Sequence, residues 1–195
     1  MKRYSVSILA ALMCLVSVDA FACAMRPRRA ITLVAKTAII KAEKALKKGQ
    51  KSLARKHFRQ AAYGMGTPKE RSYAATEAAL LYADSNAISR AIALARQAVL
   101  IKKDYAPAHA FLGQIYVEKK SPMAIGFLEK ALVLGIEKPN SVRGELLKAY
   151  MQAGKLTEAH AQYALLEKDG YPAEKLAVLK ALLDHQEKAA IAQRS

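Results

Sequence analysis
Residues 106–138 read APAHAFLGQIYVEKKSPMAIGFLEKALVLGIEK, and this stretch decides the fold. An Ala- and Leu-bearing run with Leu112-Gly113 leads to Tyr116, a polar turn follows, and Ala124, Leu128 and Ala131 recur at helical spacing. The same arrangement stands one period away on each side, because Tyr82 and Tyr150 each lie 34 residues from Tyr116. Ala91, Ala95 and Ala98 follow Tyr82, and Gly154, Ala159 and Tyr163 follow Tyr150. Small residues at these positions let two helices approach closely, while the aromatic fills the gap to the next pair. One pair cannot bury its own apolar face, so several copies must stack into a continuous core.

Composition agrees with a helical array. With 53% apolar residues and only 9 Gly and 6 Pro in 195, the chain is neither disordered nor collagen-like. The absence of Trp and an aromatic content of 7% favour helices over a β-sandwich. Two Cys exclude a disulfide scaffold. Four copies align, at about 35–68, 72–105, 106–138 and 140–173, the third one residue short in its turn. The first carries Gly49, Ala54, Phe58 and Ala61 but has Lys41 where Leu is expected, and 64–68 reads as a connector to the second. Ser121-Pro122 is expected to open the second helix of the third copy, and Asn140 to cap the fourth. Residues 173–192 predict a terminal amphipathic helix, with Leu176, Leu179, Leu182 and Leu183 on one side, so 174–195 reads as a cap and tail.

The period and its small residues resemble the tetratricopeptide repeat (TPR), a helix–turn–helix unit, over nearly all of the chain after its first thirty or so residues. The resemblance implies an all-α, right-handed superhelical solenoid of about four repeats whose first helices line a concave groove. Carried over by register, the second repeat gives the groove Tyr73, Thr76, Leu80, Ala83 and Asp84. The third gives Pro107, Ala110, Gln114, Val117 and Glu118, and the fourth Ser141, Gly144, Lys148, Met151 and Gln152. The first repeat adds Lys36, Ile39, Glu43, Leu46 and Lys47. Of these, Tyr73, Thr76, Leu80, Gln114, Val117, Lys148 and Met151 are the candidate partner-binding residues; Ala83, Ala110 and Gly144 are better explained by packing between repeats. Chaperone-binding members hold a carboxylate with Lys and Asn where this chain has Ile39 and Glu43, so that clamp is not expected.

No catalytic constellation is legible. His57, His109, His160 and His185 stand neither three nor four residues apart nor beside a Cys, so no metal pair and no cofactor is expected. His109 reads as a packed or hydrogen-bonded histidine. Residues 64–69 superficially resemble a phosphate loop but lack its strand and its Gly-Lys-Ser/Thr ending. There is no Gly-x-Ser-x-Gly elbow either.

Charge and the N-terminus bear on location. Lys plus Arg number 32 against 16 acids, for a net charge of +16, and six cations (Lys47, Lys48, Lys51, Arg55, Lys56, Arg59) crowd one element of the first repeat. Such a stripe attracts polyanions, although a solvated helix face accounts for it as well. Without interleaved aromatics it offers no stacking platform, which disfavours nucleic acid. Residues 1–22 combine a basic start, an apolar run over 6–18 and Ala20-Phe21-Ala22, the pattern of a secretory signal peptide. Residues 23–34, including Arg26, Arg28 and Arg29, then read as a basic linker and the start of the first helix. Cys23, directly after the cut, is a candidate lipidation residue, although Ala20-Phe21 departs from the usual Leu-then-small pair.

The expectation is a non-enzymatic adaptor, exported to the periplasm and outer-membrane associated if Cys23 is acylated. It would bind a peptide or helix of another envelope protein to help assemble a pilus, secretion or cell-wall machine. The alternative is a binder of anionic lipid or envelope polymers through the basic stripe, and a third, weaker reading is a nucleic-acid-binding repeat protein.

Overall fold
The computed structural model describes residues 28–192, with side chains described from residue 34 onward; residues 1–22, read as a secretory signal, and the candidate lipidation residue Cys23 lie outside that range. Among the described residues the chain is all-α: α1 (Arg28–Lys47), α2 (Lys51–Tyr63), α3 (Pro68–Asp84), α4 (Ile88–Ile101), α5 (Ala106–Glu118), α6 (Met123–Val133), α7 (Pro139–Gln152), α8 (Leu156–Lys168) and α9 (Ala173–Ala192). Each helix packs on the next in sequence. In addition α1 touches α3, α3 touches α5, α5 touches α7 and α7 touches α9, whereas the second helices make no comparable row of contacts. The first helices therefore form the inner row of the array.

The core is built from small residues. Ala35, Ala38, Ala42 and Ala45 make one stripe on α1, and Ala91, Ala95 and Ala98 make another on α4, all essentially buried. Phe58, Leu112, Leu128, Leu146, Leu147, Leu166 and Leu183 are the largest fully buried apolar side chains along the rest of the array. In the fourth repeat Leu166, and not the partly buried Tyr163, fills the central position.

The sequence period reappears as a repeated turn. Gly49, Asn86, Lys120 and Gly154 end the first helix of each pair in the left-handed region, with φ of 71°, 58°, 51° and 70°. In each case the following N–H returns to a carbonyl five residues back, as in Gln50 to Ala45, Ala87 to Tyr82, Ser121 to Tyr116 and Lys155 to Tyr150. That is the Schellman closure, which satisfies the last helical carbonyls and fixes the direction of the returning helix. The third repeat's turn thus keeps the common register. Lys120 and Gly154 stand 34 residues apart, as Asn86 and Lys120 do, so no residue is missing from the third repeat, although its α6 is the shortest described helix at 11 residues.

Helix starts differ from expectation for local reasons. Thr67 and Glu70 form a capping box, Glu70 N–H donating to Thr67 Oγ1 (3.2 Å) and Thr67 N–H to Glu70 Oε2 (3.0 Å), so α3 begins at Pro68. Pro139 supplies the preset φ of a first helical residue, placing Asn140 inside α7, not at its cap. Pro122 precedes α6, which starts at Met123. Arg28 and Arg29 belong to α1 and not to a linker. On α9 only Leu179 and Leu183 are buried, while Leu182 is 44% exposed and lies toward the inner side of the array.

Candidate binding groove
The inner row brings Thr76 and Leu80 of α3, Pro107, Ala110 and Gln114 of α5, and Ser141 of α7 around one open cleft of about 240 Å³. All six are positions carried over by register. Phe111, Leu128, Ile136 and Val142 give it an apolar floor, and Glu77, Glu145 and Lys138 give it a charged rim. Leu80 (40% exposed) and Gln114 are exposed along it, as are Pro107, Lys138 and Ser141. A second cleft of about 450 Å³ continues toward the end of the array, where Lys148, Met151 and Gln152 face Leu182 and His185 of α9. Gln152 Nε2 donates to the Val117 carbonyl at 3.1 Å and ties the two stretches together.

Not every candidate lies on the surface. Val117 and Thr76 are both buried, Thr76 with its Oγ1 donating to Ser72 O (2.9 Å), and Met151 is buried too. Contact between successive first helices covers these positions. Tyr73 is half-buried, its ring edge-on to Phe58 at 6.1 Å and its hydroxyl donating to Glu43 at 3.2 Å. Lys148 pairs with Glu145 at 2.9 Å. Glu77, Phe111 and Glu145, which also line the cleft, share one register position immediately after Thr76, Ala110 and Gly144. That common offset was the signal available in the sequence.

Negative charge gathers here despite the basic composition. Burial, then the neighbouring Glu43, pushes the Glu77 carboxyl above the usual carboxylate range. Burial also raises the Tyr73 hydroxyl, with Glu77 and Glu43 adding to it, and Tyr105 is pushed up to about 12 by burial and then by Glu77 and Glu137. Neutral or positive groups are favoured at this end of the cleft.

The basic stripe divides in two. Lys47, Lys48 and Lys56 are exposed, but Lys51 pairs with Asp84 (2.8 Å), Arg55 donates to Ser85 Oγ (2.8 Å) and Arg59 donates to the Tyr82 hydroxyl (3.2 Å). The last contact recurs along the array, since Arg96 donates to the Tyr116 hydroxyl (2.6 Å) and Tyr150 donates to Glu129 (2.6 Å). Each periodic tyrosine thus fills the gap with its ring while a side chain of the preceding second helix satisfies its hydroxyl. With Glu129 as acceptor and burial as the larger cause, the Tyr150 hydroxyl is pushed up to about 12. His109 is buried, with Nε2 2.9 Å from the Lys103 carbonyl.

No protein-family model and no curated protein matches the sequence. Solved structures do match: the nearly identical TPR-like repeats of a candidate kinesin light chain of Podosopora anserina superpose with a TM-score of 0.55 at 17% identity, over 88% of this chain and 100% of that one. A point variant of the same repeats gives 0.57 at 19% identity, over 82% and 96%. This chain accordingly has the fold of a TPR-like repeat array, all-α among the described residues with its helices packed pairwise in sequence order.

Proposed function
We propose that the protein is an exported adaptor that holds an extended peptide or amphipathic helix of another envelope protein in its inner groove. The observation that carries this reading is the cleft itself, in which inner-face residues of three successive repeats surround an apolar floor with a charged rim. The envelope role rests on residues 1–22, which read as a secretory signal, and the assembly of a pilus, secretion or cell-wall complex is the setting such an adaptor would serve. Binding of anionic lipid or polymer along the exposed stripe is the alternative, carried by Lys47, Lys48 and Lys56, because Lys51 is paired with Asp84 while Arg55 and Arg59 turn off the stripe toward Ser85 and Tyr82.

Leu80→Ala combined with Gln114→Ala should weaken capture of the native partner from crosslinked envelopes about tenfold, because exposed groove-centre side chains carry such contacts. The urea midpoint should stay put, since neither side chain is in the core. Capture that survives this double change and disappears when Lys47, Lys48 and Lys56 become Gln would decide for the stripe. Export has its own check. Intact mass of the native protein should match a chain beginning at Cys23; a mass for all 195 residues overturns export, and a diacyl or triacyl increment makes the protein a lipoprotein.

A further inference from the structure
Away from the groove, three arginines converge on one ring. Arg55 and Arg59, a turn apart on α2, and Arg90 of α4 all reach Tyr82 at the end of α3. The Arg55 guanidinium carbon lies 4.7 Å from the ring centroid and that of Arg90 5.9 Å, and Arg59 Nη1 donates to the hydroxyl at 3.2 Å. Beside them is a hollow of about 370 Å³ lined by Arg59, Tyr63, Tyr82, Arg90, Ala93 and Leu94. No carboxylate lines it. Asp84, the acid next to this corner, is held by Lys51, and among the described residues none of the three arginines forms an ion pair.

We propose that this hollow is an oxoanion site in which Arg59 and Arg90 grip a phosphate group, independent of the peptide groove. Like charges gathered round one ring repel one another, and the ring faces offset only part of that repulsion. A phosphate removes the deficit, because each planar guanidinium can present two N–H donors to two of its oxygens. Tyr63, largely exposed, also lines the hollow, and Arg55 adds charge from its contact on the Tyr82 ring. Ala93 and Leu94 form an apolar wall, so the phosphate fits whether free or carried on a lipid headgroup.

The test is titration of inorganic phosphate into the purified protein, followed through the arginine Nε–Hε resonances, beside sedimentation with vesicles of phosphatidylglycerol or of phosphatidylcholine alone. Saturable shifts at Arg59 and Arg90 are expected. Arg90→Gln should weaken binding about tenfold, the value of a charge-assisted contact, while Lys180→Gln removes the same charge on α9 without effect. Among the described residues the Arg90 side chain contacts the Tyr82 ring but donates no hydrogen bond, and its backbone N–H bond to Ala87 O is kept by Gln, so its substitution leaves helicity intact; Arg59→Gln repeats the test from α2. Loss of phosphatidylglycerol capture in Arg90→Gln assigns the headgroup, and phosphate shifts without vesicle capture assign the free anion. Neither binding, or equal weakening by Arg90→Gln and Lys180→Gln, overturns the site.

Discussion

Replacing Phe58 with Ala lowers the unfolding free energy by about 3–5 kcal/mol, among the largest losses any single truncation causes here. The ring is fully buried on α2, edge-on to Tyr73 of α3 at 6.1 Å and an interplanar angle of 84°. It lies where α1–α2 meets α3, so its removal opens a cavity at the interface between two repeats rather than inside one. On the same face of α2 stand Ala54 and Ala61, and the buried face of α3 carries Ala74 and Ala78; a methyl group is too short to collapse into the space. In a repeat array each unit is held only by its neighbours, so α1 and α2 should melt before the remainder. Urea denaturation followed by far-ultraviolet circular dichroism should show an earlier, broadened transition. A single transition at the wild-type midpoint would remove Phe58 from the core.

The array was legible in the sequence because its information is periodic. Tyr82, Tyr116 and Tyr150 fixed the repeat length, and Ala91, Ala95 and Ala98 marked the close-contact face that is buried in the fold. What the period does not encode is set by local or tertiary chemistry. The α3 start follows from the Thr67–Glu70 box, and the α7 start from Pro139, both independent of repeat register. The two Thr67–Glu70 hydrogen bonds are themselves a sequence signature, Thr67-Pro68-Lys69-Glu70, that marks a helix start four residues ahead of the repeat boundary.

At the groove, register alone named Thr76, Leu80, Pro107, Ala110, Gln114 and Ser141, which do line one cleft, but it could not separate them from Val117. Whether an inner-face position is open depends on how closely the next first helix approaches, a tertiary distance. The same holds for the cations. Charge spacing along α2 could not reveal that Arg55 and Arg59 turn toward Tyr82, whose ring arrives from a different repeat. Leu182 had an apolar neighbour by helical periodicity only; in the fold it lies open beside Met151.

Gly113→Val and Gly126→Val, the same substitution on the two helices of one repeat, should differ by roughly 3 kcal/mol in unfolding free energy. Helix propensity cannot distinguish them, since Val is better than Gly by only a few tenths of a kcal/mol at either place. Space does. A Cβ on Gly113 meets Leu128 Cγ at 2.5 Å, Leu128 Cδ2 at 2.6 Å and the Leu128 backbone nitrogen at 3.2 Å. Leu128 is 1% exposed, so its side chain has no vacant rotamer to retreat into, and the backbone contact resists any shift of α6. The two further methyl carbons of Val press α5 and α6 apart along a contact that holds the third repeat together. At Gly126 a Cβ meets nothing within 4 Å, so Val there points into solvent and leaves the fold near its original stability. Paired urea melts of the two variants read the difference directly. Equal midpoints would mean that α5 and α6 do not close on Gly113, and with that the small-residue logic of the whole repeat would fail.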